Sequence, residues 1–311
     1  YTDAIDNSAG VNCSDHEVNI KILLGAVVEQ DEMTIKQRNT LLESMTDEVA
    51  QLVLRQNYLQ PQAIELSARE ATTRLPEHHQ FMQFLENAGR LDRAIEYQQR
   101  DEAIKELQAT AQGLTNPEFA ILLAYGKMWV YDEMLDSDLA NDAYFLNELK
   151  KYFPDALDEP YFDEMVKHRL HREIISTYLT NGLVNRLGIE TVFDIYRKTD
   201  RSIADITRAY AVVRDVFGVQ MLWNEIEALD NQISAELQLD IEIQIRRSLQ
   251  SAIISLLNAN DDLDVATLVG QHLDATDGVD VSYQSELEGQ GVPIASAALF
   301  ARLPAQVAAM K

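Results

Sequence analysis

The sequence predicts a predominantly all-α fold, and three observations support this prediction. Gly and Pro are scarce, at 12 and 7 of 311 residues. Apolar residues recur at helical spacing through most of the chain. The apolar fraction of 46% is large enough for a packed core. A chain of this length allows about two domains.

Amphipathic stripes locate three of the helices. The stripes are Ile121, Leu122, Tyr125, Met128 and Trp129; Ile203, Ile206, Tyr210, Val213 and Phe217; and Ile241, Ile245, Leu249, Ile253 and Leu256. Asn116 is predicted to cap the first helix, and Pro117 to occupy its first helical position, where the missing N–H has no cost. Ser202 is expected to open the second helix and Gly218 to close it.

Residues 237–245 alternate between apolar and polar side chains, which is the period of a strand. No turn residue bounds the alternation, and it continues directly into the third helical stripe. The intervening Glu and Gln residues are good helix formers. We therefore predict a helix for this segment.

Turn-forming residues divide the predicted helices into hairpins. Breaks are expected at residues 59–61, 113–117, 154–160 and 182–188. Beyond Asn258 the chain becomes richer in Asp, Gly and Pro, and one more apolar helix is expected from about Ala295. No fixed-period repeat is visible, which disfavours a solenoid.

Charge and composition exclude several classes of function. The chain has 51 acidic and 26 basic residues, for a formal charge of −25, so it repels nucleic acid and anionic membrane surfaces. No apolar run is long enough to span a bilayer. The single cysteine, Cys13, excludes an internal disulfide framework and a thiolate metal cluster, so no metal site is expected. These features favour a cytoplasmic protein.

The amino terminus carries no processing signal. Tyr1 is not an initiating Met, and no basic and apolar signal segment follows it. We therefore expect the chain to begin within a longer polypeptide.

Aromatic and Met side chains on the helical stripes are predicted to pack in the core rather than to form a cofactor site. This prediction covers Met128, Trp129, Tyr131, Met221 and Trp223. His78 and His79 are expected to face solvent, because adjacent residues of a helix point in different directions and would not easily share a metal ion.

Four basic residues form a local cluster: His168, Arg169, His171 and Arg172. In so acidic a chain we expect the cluster to pair with neighbouring acids such as Glu164 and Glu173. The alternative is that the cluster binds an acidic amino acid as an effector.

Residues 3–18 form the segment with the most chemical information. A run of small and polar residues is expected to form a loop that leads into an apolar helix. Ser14 and Glu17 have the spacing of a capping box, which would place Ser14 at a helix start, where partial positive charge favours a carboxylate or phosphate. Asn7 and Gly10 are expected in a turn.

The same segment resembles a known family. The run Asn7-Ser8-Ala9-Gly10-Val11, followed by Ser14 and Glu17, resembles the Asn-Ala-Gly-Gly-Val, Ser, Glu signature of glutamate and related amino-acid dehydrogenases. The longer stretch 6–21 is similar to the large, multidomain NAD-specific glutamate dehydrogenases of bacteria. Further similar segments, among them 114–118, 152–154 and 168–175, extend the resemblance to about residue 257.

The resemblance implies a domain organisation and an activity. Residues 1–60 would be the end-piece of an α/β dinucleotide-binding catalytic domain, and residues 61–311 a multi-helix carboxy-terminal domain. The parent protein would oxidise L-glutamate with NAD to 2-oxoglutarate and ammonia. Its partners would be the upstream catalytic domain of the same polypeptide and further copies in a homo-oligomer.

The resemblance also assigns roles to three residues. Asn7 would lie near the nicotinamide carboxamide, Val11 would contact the substrate, and Ser14 would donate a hydrogen bond to the side-chain carboxylate of the substrate. Ser8 and Ala9 depart from the Ala and Gly of the smaller enzymes, which changes the geometry of this segment.

The remaining catalytic parts are expected upstream of this chain. The catalytic Lys and Asp of the family are among them, and no G-x-G-x-x-G turn occurs in this sequence. No catalytic residue is predicted here, so the chain by itself is expected to be inactive. The alternative hypothesis is that the helical region is an oligomerisation or regulatory module with no catalytic role of its own.

Overall fold

The computed structural model describes residues 1–272 and 278–310, and every regular element within them is a helix. The predominantly all-α prediction is confirmed. The α-helices are α1 Asp3–Asp6, α2 Ser8–Glu29, α3 Ile35–Ser44, α4 Thr46–Arg69, α5 Leu75–Asn87, α6 Asp101–Ala109, α7 Asn116–Leu135, α8 Ala143–Leu146, α9 Glu148–Tyr152, α10 Asp155–Asp158, α11 Phe162–Val166, α12 His171–Leu187, α13 Ile189–Thr199, α14 Ile203–Val216, α15 Val219–Ala228, α16 Ala235–Ala259, α17 Val265–His272, α18 Val281–Gly289, α19 Ile294–Phe300 and α20 Arg302–Met310. A short 3₁₀ helix spans Leu139–Asn141.

Helix α12 lies at the centre of the molecule. It packs against α4, α7, α9, α13 and α16, and α14 packs against α16 and α17. One continuous hydrophobic core extends from α1 to α20. An aromatic group joins α5, α7 and α13, in which the ring centroids of Phe84 and Trp129 are 5.0 Å apart and those of Phe81 and Phe193 are 5.1 Å apart.

Local sequence signals locate both ends of α14 and come within one residue of the start of α7. Ser202 caps α14 by accepting a hydrogen bond from the Asp205 amide at 3.1 Å, and Gly218 follows the helix with φ of 57°. The predicted cap of α7 is wrong by one residue. Thr115 is the cap, and its amide donates to Glu118 Oε2 at 2.7 Å.

The segment 237–245 is helical, as predicted. It lies within α16, which Ser234 caps by accepting from the Leu237 amide. The alternation does not produce a strand, because Ile241, Ile243 and Ile245 are all buried in a helix that packs against α13, α14 and α20.

The predicted break at 59–61 is wrong, those at 113–117 and 154–160 fall between the longer helices, and that at 182–188 is confirmed only at its end, Gly188. Helix α4 continues through Pro61, although the proline removes one helical hydrogen bond, because Ala63, Ile64 and Leu66 are buried in the core. The proposed domain boundary at residue 60 therefore lies inside a helix. Gly182 is likewise inside α12, which ends only at Gly188, where φ is 75°.

Packing also corrects several predictions about single side chains. Trp129 and Trp223 are buried as predicted, and Tyr131 is half-buried. Met128 and Met221 lie at the surface, exposed by 49% and 61%, so their assignment to the core was wrong. Met128 belongs to the first stripe by spacing, yet helical spacing alone does not determine how far the buried face of a helix extends.

The two histidines at the start of α5 behave differently from each other. His78 is buried against the edge of the Phe119 ring, so its predicted exposure was wrong. His79 is half-buried and contacts Asp101, with 2.8 Å between Nε2 and Oδ1. His79 meets Asp101 because α6 packs on α5, whereas His78 points to Phe119 of α7.

The basic cluster does not pair with Glu164 and Glu173 as predicted. His168 is buried, and its Nε2 lies 3.2 Å from the backbone oxygen of Asn19. Arg172 donates to the carbonyl oxygens of Leu135 and Ser137 at 2.6 and 2.9 Å. The Arg172 bonds satisfy backbone groups at the end of α7, which a local charge count does not anticipate.

Helices of the described ranges are all too short or too polar to cross a membrane.

Candidate functional site

The predicted site residues share the outward face of helix α2. Asn7, Val11, Ser14 and Val18 are spaced by four, three and four residues, which aligns them on one side of a helix. All four are exposed, Val11 by 72% and Val18 by 51%. The structure therefore brings Asn7, Val11 and Ser14 together, and we call this stripe of four residues the outer face.

The predicted capping box at Ser14 is wrong. Helix α2 begins at Ser8, so Ser14 lies in its second turn, where its Oγ donates to the Gly10 carbonyl oxygen at 3.2 Å. Glu17 forms an ion pair with Lys21 instead. Since the helix N-terminus is not at Ser14, the partial positive charge expected there is absent, and anion binding would depend on the hydroxyl alone.

Contacts with α4 explain why the helix starts early. The Ser8 hydroxyl donates to Asn57 Oδ1 at 3.0 Å, and Gln60 donates to the Ser8 hydroxyl at 3.3 Å. Gly10 is helical, contrary to the predicted turn. Asn7 does lie at the junction of α1 and α2, where its side-chain Nδ2 donates to the Asp3 carbonyl oxygen at 3.1 Å.

The inner face of α2 is held by a buried polar network. Asn19 donates to the Tyr152 hydroxyl at 2.7 Å, and that hydroxyl donates to Asp15 Oδ2 at 2.7 Å. The His16 ring stacks on Tyr152 with 4.6 Å between centroids. Burial lowers the pKa of His16, and burial together with Asp15 raises the pKa of Tyr152. This network fixes the rotation of α2 about its axis.

A cavity of about 470 Å³ lies behind the inner face, bounded by α2, α4, α9, α12, α14 and α15. We call it the central cavity. Residues from all six helices line it, including Asn12, His16, Arg55, Gln56, Lys151, Tyr178, Asn185, Arg186, Arg214, Asp215 and Trp223. Sequence reasoning did not find it because its residues are scattered from position 12 to position 223.

Paired arginines form much of the cavity wall. Glu227 accepts from Arg55 at 2.6 and 3.0 Å and from Arg186 at 2.8 Å. The Arg186 guanidinium lies 4.4 Å from the centre of the Trp223 ring, in a cation–π contact.

Arg214 of α14 lines another part of the cavity wall and binds two carboxylates. Arg214 donates to Asp215 at 2.7 Å and to Glu148 at 3.1 Å. Burial raises the pKa of Asp215 to about 6.

Comparison with known proteins assigns a family. Residues 111–309 match the family model described as glutamate dehydrogenase, C-terminal. Residues 1–67 match the model described as bacterial NAD-glutamate dehydrogenase, catalytic domain. The outer face of α2 lies within the second match, and the central cavity is lined by residues of both matches.

Curated relatives agree with this assignment. The chain is 45% identical over 246 residues to an NAD-specific glutamate dehydrogenase of Pseudomonas aeruginosa, covering 79% of the chain. It is 42% identical over 249 residues to one of Halomonas elongata, covering 80%, and 39% identical over 249 residues to one of Mycobacterium tuberculosis, covering 79%. The chain spans 15% of the length of each of these relatives. The chain therefore belongs to the glutamate dehydrogenase family, to the part that the family model describes as C-terminal.

Proposed function

We propose that this chain is the carboxy-terminal portion of an NAD-dependent glutamate dehydrogenase whose outer face of α2 completes an active site built upstream. In that role Asn7 lies near the nicotinamide carboxamide, Val11 contacts the substrate, and Ser14 donates to its side-chain carboxylate. The activity, the substrates L-glutamate and 2-oxoglutarate, the cofactor NAD and a cytoplasmic location belong to the whole polypeptide.

The observation that carries this proposal is the coincidence of three assigned residues on one exposed helical face. Val11 and Val18 are apolar and exposed beside polar Asn7 and Ser14. Such a mixed stripe suits a surface that packs against another part of the polypeptide while it presents hydrogen-bonding groups to a ligand. For Ser14 to donate to a substrate, its hydroxyl must give up the hydrogen bond to the Gly10 carbonyl oxygen, by rotation about the Cβ–Oγ bond or by a change of the χ1 rotamer.

The proposal includes the inactivity of the isolated chain. Hydride transfer needs a proton-transferring group and a platform for the dinucleotide, and the outer face supplies neither. The regions 1–60 and 61–311 are proposed as the end of the catalytic domain and the helical domain, with α4 as a continuous connection between them.

The test is NAD-dependent oxidation of glutamate by the whole polypeptide that contains this chain. Ser14→Ala is expected to raise the KM for glutamate by about tenfold, because one hydrogen bond to a charged group is lost. Ser44→Ala is the matched control, since the Ser44 hydroxyl makes the same kind of bond, to the Leu41 carbonyl oxygen at 2.8 Å, on another helix. Absence of glutamate oxidation, or equal effects of the two variants, would reject the proposal.

The proposal also includes a homo-oligomer of the whole polypeptide. Tyr97 and Ile95 are exposed by 90% and 69%, and Tyr97 has φ of 54°, so this loop presents apolar groups in a strained backbone. Sedimentation velocity of the whole polypeptide is expected to show a species larger than the monomer. A strictly monomeric species over the accessible concentration range would exclude this element of the proposal.

A further inference from the structure

The central cavity has the size and shape of a small-molecule site. Its volume of about 470 Å³ lies within the range of ligand-binding cavities. Tyr178, Asn181 and Asn185 line it from successive turns of α12, so it extends for about 10 Å along that helix, at 1.5 Å for each residue.

Asn185 is the clearest indication of a ligand. Its side chain is 99% buried and lines the cavity, yet neither Oδ1 nor Nδ2 has a hydrogen-bond partner within the described residues. The buried Oε1 of Gln56, also in the lining, has none either. A buried amide without partners is destabilising, and such groups are normally satisfied. A molecule that offers both a donor and an acceptor would satisfy Asn185.

Cations predominate among the ionised groups that line the cavity. Arg55, Arg186, Arg214 and Lys151 line it, against two carboxylates, Asp15 and Asp215. Glu227 and Glu148, which bind these cations, lie outside the lining. Four cationic side chains of a chain with a formal charge of −25 therefore line one partly open cavity, each paired with a carboxylate behind the lining.

We propose that the central cavity binds a small organic anion, with its carboxylate or phosphate on the arginines and a hydrogen-bonding group on the Asn185 amide. Arginine suits either anion because its planar guanidinium can form two parallel hydrogen bonds. The rings of Tyr178 and Trp223 provide apolar walls for the carbon skeleton.

The position of the cavity connects the ligand to the outer face of α2, and this step rests on the proposed function. Asn12 and His16 line the cavity from the inner side of α2, while Val11 and Ser14 lie on its outer side. A helix moves as a rigid element, so a ligand that shifts the inner side also shifts the outer side. The bound anion would therefore change the KM for glutamate.

Calorimetric titration of the 311-residue chain tests the site itself. The probes are malonate for a carboxylate, inorganic phosphate, and adenosine monophosphate for a phosphate with a hydrogen-bonding base. At least one probe is expected to bind, and Asn185→Leu is expected to weaken that binding by about tenfold or more. The same substitution is expected to leave the melting temperature unchanged or raised, because it removes an unpartnered buried amide.

Thr180→Val is the matched control. Thr180 is buried on the same helix, but its hydroxyl contacts Met134 Sδ at 3.5 Å and does not line the cavity. It is expected to leave probe binding unchanged. Absence of binding for all three probes at about 10 mM, where a dissociation constant of about 1 mM would still be detected, would overturn the site. Equal binding by wild type and Asn185→Leu would also overturn it.

The regulatory step is tested in the whole polypeptide. The probe that binds is expected to change the KM for glutamate in the wild type and not in Asn185→Leu. Binding without any change in KM would overturn the regulatory step and leave the site intact. If the polypeptide oxidises no glutamate, the proposed function fails, and the calorimetric result still decides the site.

Discussion

Arg246 and Glu190 are joined in the core by a hydrogen bond of 2.8 Å between Nη1 and Oε1, where both side chains are at least 98% buried. Arg246 also binds Glu70, and Arg74 lies 3.8 Å from Glu190. Burial alone would raise the pKa of Glu190, but Arg246 and Arg74 hold it below its usual value. This ionic network connects α4, α13 and α16.

Arg246→Met is expected to destabilise the protein by about 3 to 5 kcal/mol, because it leaves buried carboxylates without their main partner. Arg247→Met is the control, since Arg247 also binds Glu70 at 2.7 Å but its side chain is 58% exposed. Arg247→Met is expected to lower the free energy of unfolding by less than about 1 kcal/mol. Urea unfolding measures both, and equal losses would contradict the prediction.

His78 is expected to make the protein less stable in mild acid. Burial lowers its pKa to about 4, whereas the unfolded chain has the ordinary value of 6.5. The unfolded state therefore gains a proton first, and stability falls as the pH decreases from about 6.5 towards 4.

His78→Leu removes this titration. When the pH is lowered from 7 to 5, wild type is expected to lose about 2 kcal/mol more of its free energy of unfolding than the variant loses. His79→Leu is expected to show no such gain, because His79 contacts Asp101 at 2.8 Å. Denaturant unfolding at the two pH values measures the difference, and parallel pH profiles for wild type and His78→Leu would rule the prediction out.

Glu242 is expected to have the opposite effect on pH dependence. Burial raises its pKa to about 7, against 4.5 for the ordinary side chain, although Arg186 opposes the shift. The folded state therefore retains the proton longer than the unfolded state, and stability is lost as the pH rises from about 4.5 through 7.

Glu242→Gln keeps a neutral side chain at every pH. When the pH is raised from 5 to 8, wild type is expected to lose about 2 kcal/mol more of its free energy of unfolding than the variant loses. Glu236→Gln, at an exposed position of the same helix, is the control and is expected to show little pH-dependent change. Thermal unfolding at both pH values measures the gain. A constant difference from wild type would count against a protonated Glu242.

Gly126 is expected to tolerate no side chain. A Cβ at this position would lie 2.2 Å from Cγ1 of Ile189, so Gly126→Ala should cost about 1 to 3 kcal/mol through overpacking of α7 on α13. Gly182→Ala is the control in α12, because a Cβ there meets no atom within 4 Å. Because alanine has a higher helix propensity than glycine, Gly182→Ala is expected to leave the free energy of unfolding unchanged or to raise it by up to about 1 kcal/mol. Equal destabilisation by both substitutions would contradict this packing.

Local signals in the sequence predicted the helices well. Ser202 opens α14 because its hydroxyl needs only the amide three residues later, and the third apolar stripe forms a helix because its spacing matches a helical face. The same local reasoning failed at Ser14 and Glu17. Their spacing suits a capping box, but contacts of Ser8 with Asn57 and Gln60 extend the helix towards the amino terminus.

By itself, the sequence determined the all-α class, the ends of helices such as α14, and the grouping of Asn7, Val11 and Ser14 in one short segment, because each depends on residues a few positions apart. Only the tertiary structure decided which face of α2 is exposed, that His78 is buried, and that Asn185 and Arg214 line the same cavity. These properties depend on contacts between helices distant in the chain. The pattern of one helix does not encode the positions of its neighbours.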